Sequence, residues 1–134
     1  MSHPPDTECH PIIYELMDRI SSHFKVEINS VLINRYIDGN SFIPWHQDDE
    51  TCLGENPTIF SLSLGGSRVF EIKKSEDYSK INAPSLKQFD LHDGTLVVMK
   101  GEIQKYFYHR VPMEPSNKTT RLNLTFRHIK AVAE

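Results

Sequence analysis

Apolar positions recur at helical spacing early in the chain and then switch to strict alternation. Ile12, Ile13, Leu16, Met17, Ile20 and Phe24 form one stripe behind Pro11, so the spacing predicts an amphipathic helix from Pro11 to about Phe24. From Ser30 the period becomes two. SVLINRY over 30–36 is rich in β-branched residues, Asp38-Gly39-Asn40 signals a turn, and FIPWHQD carries a second short strand. Further strands are expected at Thr58–Leu64, Arg68–Ile72, Phe89–Leu91, Thr95–Lys100, Tyr106–Val111 and Arg121–His128, with Gly65-Gly66 and Asp93-Gly94 as turns. The polar stretch from Lys73 to Gln88 reads as a long loop, and residues 1–10 as a flexible tail. One helix followed by about eight short strands predicts a mostly β domain, a sandwich or barrel with the N-terminal helix packed on one sheet.

Composition narrows the setting more than the function. A chain of 134 residues is one domain by length, large enough to bury a core. No apolar run approaches the roughly 18 residues of a membrane span, and MSHPPDTECH lacks the basic and apolar regions of a signal peptide. Cys9 and Cys52 cannot build a disulfide framework, so no disulfide partner and an intracellular setting, nucleus or cytoplasm, are expected. A net charge of −3 argues against a protein that coats nucleic acid through bulk positive charge. Lys73, Lys74, Lys80 and Lys87 cluster, but acidic neighbours make that segment a solvated loop of mixed sign.

Candidate chemistry begins in WHQDD. His46 and Asp48 are two apart, so an extended segment points both side chains the same way. A distant strand must bring the third ligand, and His109 in KYFYHRV is the natural choice. Two nitrogens and an oxygen on one face of an iron leave positions open for a co-substrate and O₂. An H-x-D pair is weak alone among seven histidines. His3, Cys9 and His10 lie in the tail without enough companions for zinc, and His92 and His128 read as surface residues.

The last strand changes the weight of that pair. In RLNLTFR, alternation puts Arg121, Asn123, Thr125 and Arg127 on one face. Two arginines so spaced suit a small dicarboxylate, since each guanidinium fork matches a carboxylate. Asn34 and Tyr36 share a face in VLINRY, and Ser61 and Ser63 share one in IFSLSLG. Trp45 should point away from His46 into core packing. Phe107 falls on the face of His109, where it could wall an iron pocket, while Tyr106 and Tyr108 pack elsewhere.

Taken in order, NSVLINRYIDG, IPWHQDDE, GENPTIFSLSLGGSRVFEIK, LHDGTLVVMKG, YHRVP and RLNLTFR resemble the AlkB family of Fe(II)- and 2-oxoglutarate-dependent dioxygenases, in its eukaryotic nucleic-acid demethylase members especially. The resemblance implies a double-stranded β-helix, or jelly roll, with residues 11–134 as a single catalytic core. It makes His46, Asp48 and His109 the iron ligands. Arg121 and Tyr36 would take the far carboxylate of 2-oxoglutarate, and Arg127 would sit near its chelating end. Asn34 and Asn123 would be neighbouring contacts, with Ser61 and Ile43 lining the pocket. Asp49 would contact the target base, and Arg68 would border the substrate cleft.

The implied reaction spends 2-oxoglutarate and O₂ to oxidise an N-methyl group on a base in single-stranded DNA or RNA, with no role for a membrane. Succinate, CO₂, formaldehyde and the repaired base are the products. Only about 28 residues precede the first barrel strand, so the family's nucleotide-recognition lid is expected to be missing or shortened. Other readings are an oxygenase acting on a protein side chain or small molecule, and a non-catalytic nucleic-acid-binding module.

Overall fold

The structure is a computed structural model and describes residues 9–77 and 85–130. Helix α1 (Pro11–Phe24) starts where expected. His10 caps it by accepting the Ile12 N–H on Nδ1 (3.2 Å), and Pro11 supplies a first helical residue that needs no amide donor. It stops at Lys25, which takes the left-handed conformation (φ 55°) and turns its own N–H back to the Ser21 carbonyl.

Eight strands follow: β1 (Ser30–Tyr36), β2 (Ile43–His46), β3 (Ile59–Gly65), β4 (Arg68–Lys74), β5 (Lys87–Leu91), β6 (Leu96–Met99), β7 (Phe107–Val111) and β8 (Arg121–Arg127). They form two four-stranded antiparallel sheets, ordered β1-β8-β3-β6 and β2-β7-β4-β5. Because the chain crosses repeatedly between sheets, residues far apart in sequence meet inside one jelly roll. A short helix α2 (Ile103–Tyr106) precedes β7 where a strand was expected from Tyr106. Strands β4 and β5 extend into the expected Lys73–Gln88 loop, and a 3-10 turn at Ser75–Asp77 follows β4. The rest of that loop at 78–84, with Lys80, and the tail at 1–8 lie outside the described residues.

Alternation along the strands divides the apolar side chains between two cores. Tyr36, Leu53, Ile59, Phe70, Leu91, Met99 and Val111 fill the space between the sheets. On the outer face of the first sheet, Phe60, Leu124 and Phe126 pack under Ile13 and Ile20 of α1. Phe60 and Phe126 are fully buried, and truncating either to Ala would cost about 3–5 kcal/mol. The turn after β1 needs Gly39. Its N–H donates to Asn117 and its carbonyl accepts from Glu114, so close to that chain that a Cβ would overlap the Glu114 carbonyl. No helix among the described residues is long and apolar enough to cross a membrane.

Candidate metal centre and co-substrate pocket

His46 is the last residue of β2, and its direct partner across the ladder is His109 on β7. The register shifts between Ile43 and His46, which frees the chain after His46 to turn Asp48 inward. The imidazole centroids are 4.1 Å apart. Asp48 offers Oδ1 to His46 Nε2 at 3.7 Å and Oδ2 to His109 Nε2 at 3.4 Å. All three ligand atoms lie within 4.8 Å of one another. His46 Nδ1 lies 2.9 Å from the Pro44 carbonyl, which assigns the proton to Nδ1 and leaves Nε2 free to ligate.

Electrostatics favour the ligating protonation states. Burial and the neighbouring His109 lower the pKa of His46, keeping it neutral. Burial pushes Asp48 up, but His109, His46 and Arg127 together outweigh it and hold the carboxyl below its ordinary value.

Beside this cluster, the inner face of the first sheet is polar. Register sets Tyr36 opposite Arg121, Asn34 opposite Asn123, and Ser61 and Ser63 opposite Thr125 and Asn123. Arg121 is 1% exposed and has no acidic partner among the described residues. Its Nη2 donates to Ser63 Oγ (2.9 Å) and Asn123 Oδ1 (3.3 Å), while Ser61 Oγ donates to Asn123 Oδ1 (2.7 Å). Among the described residues, Arg121 Nη1, Tyr36 Oη and Arg127 Nε are buried polar atoms without a hydrogen-bond partner on this face. A buried cation with an idle donor beside an idle phenol is costly unless an anion completes it. Burial raises the Tyr36 pKa, only partly offset by Arg121, so the phenol stays a proton donor. Burial also lowers the pKa of Arg121. Arg127 lies nearer the metal cluster, with Nη1 3.7 Å from Glu50 Oε2.

Ile43 packs half-buried against the inter-sheet core, and Asp49 is exposed beside Asp48. Arg68 departs from its expected place at a cleft border: it is 2% exposed and points into the loops at the opposite end of the barrel from His46. There Nε donates to Glu114 (2.8 Å), Nη1 to the Asp38 carbonyl (3.2 Å) and Nη2 to the Ser41 and Pro112 carbonyls (each 2.8 Å). Trp45 does turn away from the metal, yet it is not in an apolar core. Lys73 Nζ and Arg110 Cζ each lie 4.5 Å from its ring centroid. Two contributors escaped the sequence reading. Ser63 was paired with Ser61 by alternation but not recognised as the seat of Arg121. Gln104, which accepts the Asp48 N–H (2.8 Å), sits in a helix too short to show a period.

Residues 2–127 match the 2OG-Fe(II) oxygenase superfamily. Cattle and human alpha-ketoglutarate-dependent dioxygenase alkB homolog 3 are each 37% identical, over 93% of this chain and 45% of theirs. Human DNA oxidative demethylase ALKBH2 is 35% identical over 89% of this chain and 46% of its own. The solved structure of OsALKBH1 superposes with a TM-score of 0.60 at 22% identity, covering 90% of this chain and 66% of that one, and shows the shared fold. The chain therefore belongs to the 2OG-Fe(II) oxygenase superfamily, on its AlkB branch. It spans about half the length of the curated relatives it matches. Membership implies Fe(II) and 2-oxoglutarate. The donor set fits that metal, and the idle Arg121 and Tyr36 donors fit a carboxylate.

Proposed function

We propose that the protein is an oxidative demethylase of N-alkylated bases in DNA or RNA, with His46, Asp48 and His109 holding the iron. The observation that carries this reading is the alignment, inside one barrel, of the His-Asp-His cluster with a buried arginine and tyrosine that lack an anion. The printed names of the relatives supply the substrate class.

Iron, 2-oxoglutarate and O₂ supply the oxidation of the methyl group, and the protein supplies placement. Arg121 and Tyr36 take the far carboxylate; Arg127, Asn34, Asn123, Ser61 and Ile43 shape the remainder of the pocket. Burial keeps His46 neutral, and its Nδ1–H bond to the Pro44 carbonyl leaves Nε2 to face the metal. Asp49, exposed on the rim, accepts from the amino group of a methylated adenine or cytosine. Single strands are the better substrate, because a base already unstacked needs no extrusion from a duplex. Such substrates place the protein inside the cell, in nucleus or cytoplasm.

The test supplies Fe(II), 2-oxoglutarate and a panel of N-methylated oligonucleotides, single- and double-stranded, with His46→Ala as control. Formaldehyde and repaired base appearing together, and vanishing in the control, is the expected result. Succinate without base repair would move the substrate away from nucleic acid. The absence of both succinate formation and iron binding would overturn the enzymatic reading.

A further inference from the structure

Gln47 and Gln104 form a reciprocal pair that the family chemistry does not require and the ligand set does not include. Gln47 lies between His46 and Asp48, so its side chain points the opposite way from theirs. Its Nε2 donates to the Phe107 carbonyl (3.2 Å) and, at greater length, to that of Lys105 (3.4 Å). Gln104, from α2 on the same segment, returns the contact by accepting the Asp48 N–H on Oε1 at 2.8 Å. Gln104 is 5% exposed, and the orientation of its amide follows from its neighbours. Nε2 faces Met99 Sδ at 3.7 Å, so the oxygen faces the Asp48 amide, which can only donate.

We propose that Gln47 and Gln104 are positioning residues that set the spacing of the metal ligands. His46 ends β2, Asp48 lies in the turn just after it, and the third ligand comes from β7. Among the described residues, the ladder pair joining them at this end is His46 with His109, and the register shift leaves Asp48 beyond its reach. The Gln104–Asp48 bond fixes the backbone that aims the carboxylate. The Gln47–Phe107 bond ties that turn to the chain two residues before His109. Together they hold Asp48 Oδ2 and His109 Nε2 at 3.4 Å. Such outer contacts typically change metal affinity about 10–100-fold when removed.

The inference rests on His46, Asp48 and His109 being the iron ligands, and the experiment separates the two. Fe(II) affinity is titrated anaerobically on the whole chain for wild type, His109→Ala, Gln104→Met, Gln104→Glu and Gln47→Met, with Tm and circular dichroism recorded on each. The charge-transfer absorption on adding 2-oxoglutarate is followed in parallel. Gln104→Met keeps the volume and removes the acceptor, so iron binding should weaken about tenfold or more. Gln104→Glu keeps an acceptor oxygen at the Asp48 amide and should restore affinity. A merely packing role predicts the reverse order, with Met close to wild type. Gln47→Met, at a half-buried position that spares the fold, should weaken iron binding as well. Wild-type affinity in both methionine variants, or equal weakening in Gln104→Met and Gln104→Glu, overturns the positioning role while His109→Ala still abolishes binding. Undiminished binding in His109→Ala overturns the ligand assignment and the positioning role with it.

Discussion

Arg121 and Tyr36 face each other across the β1–β8 ladder, with the guanidinium carbon 4.8 Å from the ring centroid. Each keeps one buried polar atom unpartnered, Nη1 on the arginine and Oη on the tyrosine. Arg68 lies near the same ring, with its guanidinium carbon 5.5 Å from the centroid. Arg121 has a donor to spare, while Arg68 has its contacts committed to loops. That difference is why the proposed co-substrate site is placed at Arg121 and not at Arg68.

A carboxylate at Arg121 and Tyr36 should therefore stabilise the protein by mass action. Added 2-oxoglutarate should raise the Tm of the wild type and not that of Arg121→Met. Tyr36→Phe removes one hydrogen bond to a charged group, worth about 1.5–3 kcal/mol, so the KM for 2-oxoglutarate should rise about 10–100-fold. Fe(II) affinity should stay near wild type in both. Thermal shift and steady-state kinetics read these outcomes, and undiminished stabilisation of Arg121→Met by 2-oxoglutarate would remove the arginine from the pocket.

Acid should weaken the metal-free protein in two separate windows. His46 has a folded pKa below its ordinary 6.5, so the unfolded chain binds more protons as pH falls through that value. Its contribution is fully present above 6.5 and is lost below it. Asp48, also depressed, contributes above 3.8 and loses that contribution only on further acidification. Urea unfolding of the apo protein between pH 7.5 and 5.5 should show stability falling with pH, and His46→Gln should flatten that slope. An unchanged slope in His46→Gln would assign the effect to another group.

The legible part of this fold was whatever alternation could express. RLNLTFR and VLINRY sort their side chains to two faces by period alone, and the observed register sets Arg121 against Tyr36 and Asn123 against Asn34. The helix was legible because six apolar residues repeat behind a proline. Helix α2 was not, since four residues show no period, and Gln104 went unnoticed with it. Arg68 failed for another reason. Its backbone carbonyl partners come from loops near Asp38, Ser41 and Pro112, and no local pattern encodes which distant carbonyls a buried guanidinium will reach. Trp45 read as core because a lone tryptophan beside an inward histidine says nothing about cations arriving from β4 and β7.

Removing Arg68 should be a stability defect before it is anything else. Arg68→Ala removes the donor from the Ser41 and Pro112 carbonyls and leaves the Glu114 carboxylate with only the Val69 N–H and the Asp38 carbonyl with only the Ser41 N–H, a loss of about 3 kcal/mol by analogy with breaking a buried charge pair. Arg68→Lys keeps the charge without the planar fork, so it should recover only part of that. Urea midpoints measure the loss. At temperatures where the variants remain folded, KM for a methylated oligonucleotide should match wild type, whereas a raised KM at unchanged stability would return Arg68 to the substrate cleft.

Adjacent carboxylates should give opposite phenotypes. Asp48 is half-buried between two imidazoles, within 3.7 Å of both Nε2 atoms. Asp49 is exposed, and the proposed function gives it the target base. Asp48→Asn replaces an anionic donor with a neutral amide, so Fe(II) binding and every downstream reaction should fail together. Asp49→Asn leaves iron, 2-oxoglutarate and fold untouched, and should lower only kcat/KM for a methylated base. A lost hydrogen bond from a base amino group to a charged acceptor, about 1.5–3 kcal/mol, corresponds to roughly 10–100-fold. Succinate formation without a methylated base should be equal in Asp49→Asn and wild type. The comparison is informative because the two residues share a backbone segment. If Asp49→Asn also lost iron, the effect would lie in the turn itself, and the assignment of Asp49 to substrate would fall.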